Sequence, residues 1–301
     1  MADLSVKVAG VDFNSPLIAA SGTFGFGHEY SNFYDLSNLG GISCKGITLK
    51  KRLGNPPPRI AETPSGILNA VGLQNPGVDH FIEKDLPWLK KQGTVIIANI
   101  AGNTQEEYGQ MAEKLSDTDI DMIELNISCP NVKSGGVAFG TSCESVANIT
   151  KYVRDHCKKP LIVKLSPNVT DIAEIAKSAE ANGADAISMI NTLTGMRIDI
   201  NTGRPIIKNN TGGMSGPAVH PIAVRMVYQV AQSVKLPIIG MGGIETAEDA
   251  IEMILAGATA VSVGTANFYN PTATEEIVVG IEDYMRLMKI ESVSDMVGIV
   301  H

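Results

Sequence analysis

One cysteine in this chain stands where a thiol can act as a base. Cys129 lies in the run Asn126-Ile127-Ser128-Cys129-Pro130-Asn131. Pro130 has no backbone N–H, so it should end a strand and leave the thiol at the strand's exit. With an ordinary pKa of about 8.5, such a thiol is partly ionised near neutral pH and can take a proton. The following Ser134-Gly135-Gly136 would allow the segment to move as a lid. Cys44, Cys143 and Cys157 read instead as small buried hydrophobes.

Two lysines, Lys45 and Lys164, sit at the ends of otherwise apolar runs. A buried ammonium needs a partner, and a substrate carboxylate or the N1/C2=O side of a reduced flavin would supply the charge. Asparagine is placed in the same way. Asn99, Asn126 and Asn191 fall at the ends of apolar runs, and Asn69 and Asn131 lie in long connections. A carboxamide both donates and accepts, so several aimed at one point suit a flat ring with N–H and C=O edges, such as a pyrimidine or an isoalloxazine. Gly242-Gly243 and Gly264-Thr265 follow the last two apolar runs, where bare backbone N–H groups can approach a phosphate.

These residues need a scaffold that brings strand ends together. Eight short apolar runs recur along the chain: Pro16 to Ala20, Gly41 to Lys45, Val95 to Ile100, Met122 to Ile127, Leu161 to Leu165, Ala186 to Ile190, Pro237 to Met241 and Ala260 to Val263. Each is nearly continuous in hydrophobicity, as a strand buried on both faces should be. Helical patterns alternate with them. One helix is expected around Glu29 to Ser37. Another begins at Thr170-Asp171, carries Ile172, Ile175, Ala176 and Ala179 on one face, and stops at Gly183. A third begins at Thr246 and stops at Gly257. The segments at these two stops, Asn182 to Ser188 and Ala256 to Ser262, repeat in register. A helix–Gly–strand unit that repeats predicts an α/β fold of the (β/α)8 TIM-barrel class, one domain over residues 1–301. An open doubly wound sheet is the alternative, but no Gly-x-Gly-x-x-Gly follows the first strand.

Three connections are too long for linkers: Lys50 to Val78, Ser128 to Thr141, and Asn191 to Pro217. Loops of that length are usually functional, and all three follow strands, which puts them on the C-terminal face. The last contains Thr202-Gly203 and Gly212-Gly213, both read as turns of a small hairpin. Val6 to Phe13 reads as a second hairpin, turning at Ala9-Gly10 and plugging the bottom of the barrel.

Composition excludes several classes. The formal net charge of -8 argues against a nucleic-acid binder, which usually carries a basic stripe. The four cysteines form no Cys-x-x-Cys pair, so no metal or iron–sulfur ligand run is expected in this chain. They also make a poor disulfide framework, and neither a secretory leader nor an apolar span of about 18 residues is visible. The expectation is a cytoplasmic protein with no membrane partner.

The segments Asn126 to Asn131, Asn69-Ala70-Val71-Gly72-Leu73-Gln74-Asn75-Pro76-Gly77 and Ser43-Cys44-Lys45-Gly46-Ile47-Thr48 together resemble the dihydroorotate dehydrogenases. The opening Ala20-Ser21-Gly22-Thr23-Phe24-Gly25-Phe26-Gly27 is similar to the NAD-linked class 1B members, and the resemblance covers nearly the whole chain. It implies that Cys129 removes the C5 proton of dihydroorotate while hydride leaves C6 for flavin N5. One FMN per chain would be held by Ser21, Lys45, Gly46, Asn99, Asn126, Lys164, Ile190, Gly216, Gly242, Gly243, Gly264 and Thr265. Dihydroorotate or orotate would contact Lys45, Asn69, Ala70, Val71, Gly72, Leu73, Asn126, Asn191 and Thr192. It further implies a homodimeric core within a heterotetramer, whose second subunit carries FAD and a [2Fe–2S] cluster and passes electrons to NAD+. A fumarate-linked class 1A enzyme and another FMN-dependent pyrimidine oxidoreductase are the nearest alternatives. Two more distant readings are an aldolase-type lyase using Lys164 as a Schiff base, and a non-catalytic binding barrel.

Overall fold

Strands with no polar face cannot leave either side in water, and here they close on themselves. The computed structural model describes residues 2–128 and 137–300. Its barrel strands are β1 (Leu17–Ala19), β2 (Gly41–Ser43), β3 (Val95–Ile100), β4 (Met122–Asn126), β5 (Leu161–Lys164), β6 (Ala186–Met189), β7 (Ile238–Met241) and β8 (Ala260–Val263). They pair in chain order, β8 closes against β1, and every pairing is parallel. Apart from Val95, every residue in the eight strands is buried. All eight expected strands are present, and the fold is a (β/α)8 barrel.

The outer ring follows from amphipathic helices between strands. These are α1 (Gln105–Ser116), α2 (Cys143–His156), α3 (Ile172–Ala181), α4 (His220–Ala231), α5 (Ala247–Leu255) and α6 (Ala273–Met288). Asp171 caps α3 by accepting from the N–H groups of Ala173 and Glu174. Thr246 and Asp249 form a capping box on α5. The sequence repeat is a structural one: the N–H of Ala184 reaches the carbonyl of Ala179, and that of Ala258 reaches Met253, both at 3.1 Å. Gly183 and Gly257 take the positive φ that lets each helix stop and feed β6 or β8. Among the described residues no helix is long and apolar enough to cross a membrane.

Three local expectations are corrected. Glu29 to Ser37 forms no α-helix but two 3₁₀ turns, Tyr30–Asn32 and Leu36–Asn38. Asn32 Nδ2 and Ser31 Oγ donate to the carbonyls of His28 and Glu29, competing with the backbone for the acceptors a helix would use. Cys143 is exposed, because it opens α2 on the solvent side, whereas Val146, Ile149, Thr150 and Val153 face the core. Gly212-Gly213 is not a turn. Both glycines lie inside the strand Thr211–Ser215, where a Cβ on Gly213 would stand 1.9 Å from Thr192 Oγ1 and one on Gly212 would stand 2.6 Å from the Asn69 carbonyl.

That strand belongs to a second sheet, assembled from two of the long connections. Its antiparallel order is Leu193–Met196, Thr211–Ser215, Gly66–Asn69, Ile60–Thr63. The expected small hairpin is thus extended by strands from the 50–78 connection. Thr202-Gly203 does turn, beyond the short pair Ile198–Asp199 and Arg204–Pro205. At the opposite end, strands Val6–Val8 and Val11–Phe13 form the N-terminal hairpin. A Cβ on Gly41, the first residue of β2, would stand 3.0 Å from the Phe13 ring, so the hairpin packs at the N-terminal end.

Candidate active site

The C-terminal ends of the strands and the second sheet enclose one cavity. It holds about 1320 Å³ of empty space, open solvent at its mouth included, large enough for an organic cofactor beside a small substrate by the usual scale of about 300–1,000 Å³ per ligand site. Its wall takes Ser21 from the exit of β1, Lys45 and Gly46 from just after β2, and Asn99 from within β3. Asn126 and Lys164 come from the last positions of β4 and β5. Ile190, Asn191 and Thr192 follow β6, Gly242 and Gly243 follow β7, and Gly264 and Thr265 follow β8. Asn69, Val71, Gly72, Leu73 and Gly216 enter from the long connections.

Every one of the cofactor positions implied by the resemblance therefore lines this cavity. Of the substrate positions, Ala70 does not. It is fully buried in a small cluster with Ala61 and Ile207, because the strand before it turns its side chain away from the opening. Asn69 is the last residue of a strand rather than part of a loose connection, and its Nδ2 donates to the Gly213 carbonyl. Cys129, Pro130, Asn131 and Ser134-Gly135-Gly136 lie outside the described residues.

The floor is polar in an otherwise apolar barrel. Glu124, in the middle of β4, is 2% exposed. Its carboxylate accepts from Ser43 Oγ at 2.8 Å, Ser188 Oγ at 2.6 Å and Asn99 Nδ2, and Lys164 Nζ stands 3.7 Å away. Burial pushes the Glu124 carboxyl upward, but the Lys164 ammonium and the three hydrogen bonds outweigh it and hold the carboxyl below the usual glutamate range. Lys164 thus has an anionic partner inside the protein. The negative charge expected there from a flavin or a substrate carboxylate is supplied within the protein by Glu124 as well. Period-two alternation explains why the groups meet. Glu124 and Asn126 share a face of β4, and ladder register sets Asn99 beside Glu124, Asn126 beside Lys164 and Lys164 beside Ser188.

Above the floor runs a chain of amides. Asn126 Nδ2 donates to Asn99 Oδ1 at 3.2 Å, Ser128 donates through N and Oγ to Asn126 Oδ1 at 3.3 and 3.1 Å, and Asn191 Nδ2 donates to Ser128 Oγ at 2.7 Å. Tyr108 Oη holds the backbone carbonyl of Asn126.

On the opposite wall the glycines make a cradle. Gly216, Gly242 and Gly243 all have positive φ, and a Cβ on Gly243 would fall 2.8 Å from the Gly216 carbonyl. A Cβ on Gly264 would meet nothing nearer than 3.6 Å, so this stretch of wall is bare backbone. His220, at the start of α4, sets Nδ1 2.9 Å from the Gly242 carbonyl and Nε2 3.1 Å from Glu252. Ser262, from β8, lines the same cavity, and its buried Oγ has no partner among the described residues. Glu245, the acidic residue in the described lining, has its carboxyl pushed up by burial and by Asp249.

Sequence reading missed Glu124 and Ser262. The visible signal for Glu124 was an acid two residues before Asn126 in an apolar run. Ser262 gave no such signal.

The sequence profile described as dihydroorotate dehydrogenase matches residues 3–285. A relative from Lachnoclostridium phytofermentans, named dihydroorotate dehydrogenase B (NAD(+)), catalytic subunit, is 60% identical over 296 residues, covering 98% of this chain and 99% of its own. Proteins of the same name from Alkaliphilus oremlandii and Petrotoga mobilis are 58% and 55% identical, over 98% and 100% of this chain and of their own.

Proposed function

Because this chain belongs to the dihydroorotate dehydrogenase family, we propose that it oxidises (S)-dihydroorotate to orotate in pyrimidine biosynthesis as the catalytic subunit of an NAD+-linked enzyme. The three relatives named above carry that activity and that subunit role in their names. The observation that carries the reading is the cavity itself: two lysines, a row of carboxamides and a glycine-built cradle converge at the mouth of one barrel.

The residues present fit FMN. Gly242, Gly243, Gly264 and Thr265 suit a phosphate, the Ser262 hydroxyl, without a partner among the described residues, offers a further polar contact, and Lys164 with Asn99 suits the polar edge of the ring. When bound, FMN supplies the acceptor for the hydride leaving C6 of dihydroorotate. Lys45 would bind the substrate carboxylate, a pairing that discriminates against uncharged pyrimidines. Asn69, Asn126 and Asn191 would hydrogen-bond the imide and urea edges of its ring, with Val71, Gly72, Leu73 and Thr192 completing the wall. Cys129, one residue on from Ser128, would take the C5 proton. Loss of that proton and of hydride from C6 leaves the C5=C6 double bond of orotate, and the electron pair passes on to NAD+. That last transfer would use FAD and a [2Fe–2S] cluster carried by a partner subunit, around a homodimer of this chain.

An absorption spectrum tests the reading directly. Purified protein should be yellow, with flavin bands that bleach when dihydroorotate is added without air. Colourless protein, or bands that do not change, would overturn it.

A further inference from the structure

Glu124 touches no ligand in the reading above, yet it is the one acidic side chain at the base of the site's hydrogen-bond chain. Resting on the dihydroorotate reading, we propose that Glu124 is a positioning residue that fixes the donor–acceptor sense of Asn99 and Asn126, so that the cavity presents amide N–H groups to the carbonyl oxygens of the pyrimidine.

The argument is one of polarity. An ionised carboxylate can only accept, so Asn99 must turn its NH2 toward Glu124 and its Oδ1 away. That Oδ1 is the acceptor Asn126 Nδ2 uses at 3.2 Å. Were Asn99 reversed, two NH2 groups would face each other. Asn126 in turn is locked with Oδ1 toward the Ser128 N–H and Oγ. The Ser128 hydroxyl has one hydrogen, given to Asn126, so it meets Asn191 as an acceptor, and Asn191 Oδ1 takes the N–H of Thr192 at 2.7 Å. Each step leaves a second hydrogen on the Nδ2 of Asn126 and of Asn191, both in the cavity wall. Hydroxyls can rotate to suit a new neighbour; Asn99, held between two fixed groups, cannot. The same carboxylate stands 3.7 Å from Nζ of Lys164, itself in the cavity wall, and supplies its counter-charge.

The test exchanges polarity between two positions. Glu124→Gln keeps the shape but sets an amide where four groups direct hydrogens or positive charge. It should weaken orotate binding by roughly tenfold or more, measured by titration of the flavin spectrum. It should also raise the flavin midpoint potential, since Lys164 loses its counter-charge. Asn99→Asp alone sets two carboxylates together and should also bind orotate poorly. The double variant E124Q/N99D restores an acceptor facing an NH2, an acceptor for Asn126 and an anion near Lys164. Its orotate Kd should return to within a few-fold of wild type.

Wild-type affinity and potential in Glu124→Gln would overturn the proposal. So would a double variant that binds no better than either single one. If Glu124→Gln does not fold, a folded double variant with restored binding still supports the polarity argument, and one that fails to fold or bind overturns it. Wild-type protein that binds no orotate would instead overturn the dihydroorotate reading, and this inference with it.

Discussion

The Cys129 thiol and the buried Glu124 carboxylate beside Lys164 are expected to do different work, and each can be tested alone. Replacing Cys129 by alanine should leave FMN bound but remove most dihydroorotate oxidation near neutral pH, read as the rate of flavin bleaching after anaerobic mixing. Cys129→Ser should keep some activity, shifted to high pH, because a hydroxyl is a far weaker acid than a thiol. Lys164 acts on stability as well as on the site. Lys164→Ala leaves the buried Glu124 carboxylate with three neutral hydrogen bonds but no counter-charge, which should cost about 3–5 kcal/mol, visible as a lower urea midpoint. The linked pH effect has a definite sign. The folded pKa of Glu124 is depressed, so its contribution is present above the ordinary glutamate pKa and is lost as pH falls through the lowered value. Acid unfolding of Glu124→Gln should therefore be less steep over that window.

At the scale of elements, glycines with the same sequence signature do opposite jobs. Gly242-Gly243 takes positive φ and turns the chain after β7, whereas Gly212-Gly213 lies flat in a strand so that Thr192 and the Asn69 backbone can approach. Gly213→Ala should force the second sheet away from Thr192, costing about 1–3 kcal/mol through overpacking. Its effect should fall on orotate affinity more than on FMN content, which a paired titration and flavin assay would separate. Helix α4 reaches the cradle through His220, which contacts the Gly242 carbonyl on one side and Glu252 on the other. His220→Ala should loosen that turn and speed FMN loss, followed by flavin fluorescence on dilution.

For the whole molecule, the barrel supplies the strand ends and the site is completed by segments remote in sequence. Strand Gly66–Asn69 pairs with Thr211–Ser215 across more than a hundred residues, so one wall of the cavity depends on two connections folding together. On the function proposed above, the electron path would leave this chain for a partner subunit. It has no Cys-x-x-Cys pair, and the isolated chain should reduce NAD+ slowly while still oxidising dihydroorotate with an artificial acceptor. Efficient NAD+ reduction by the pure chain would contradict that division.

The chain order already determined the eight strands, the helix caps at Asp171 and Thr246 and the cavity positions at strand exits, because hydrophobic period and capping chemistry are local properties. Glu29 to Ser37 escaped local reading because side chains there take the carbonyls a helix needs. The pairing of the two long connections, the turning away of Ala70 and the meeting of Glu124 with Lys164 were decided only by tertiary structure. Each depends on ladder register between segments far apart in the chain, and no property of a single segment encodes which neighbour it will face.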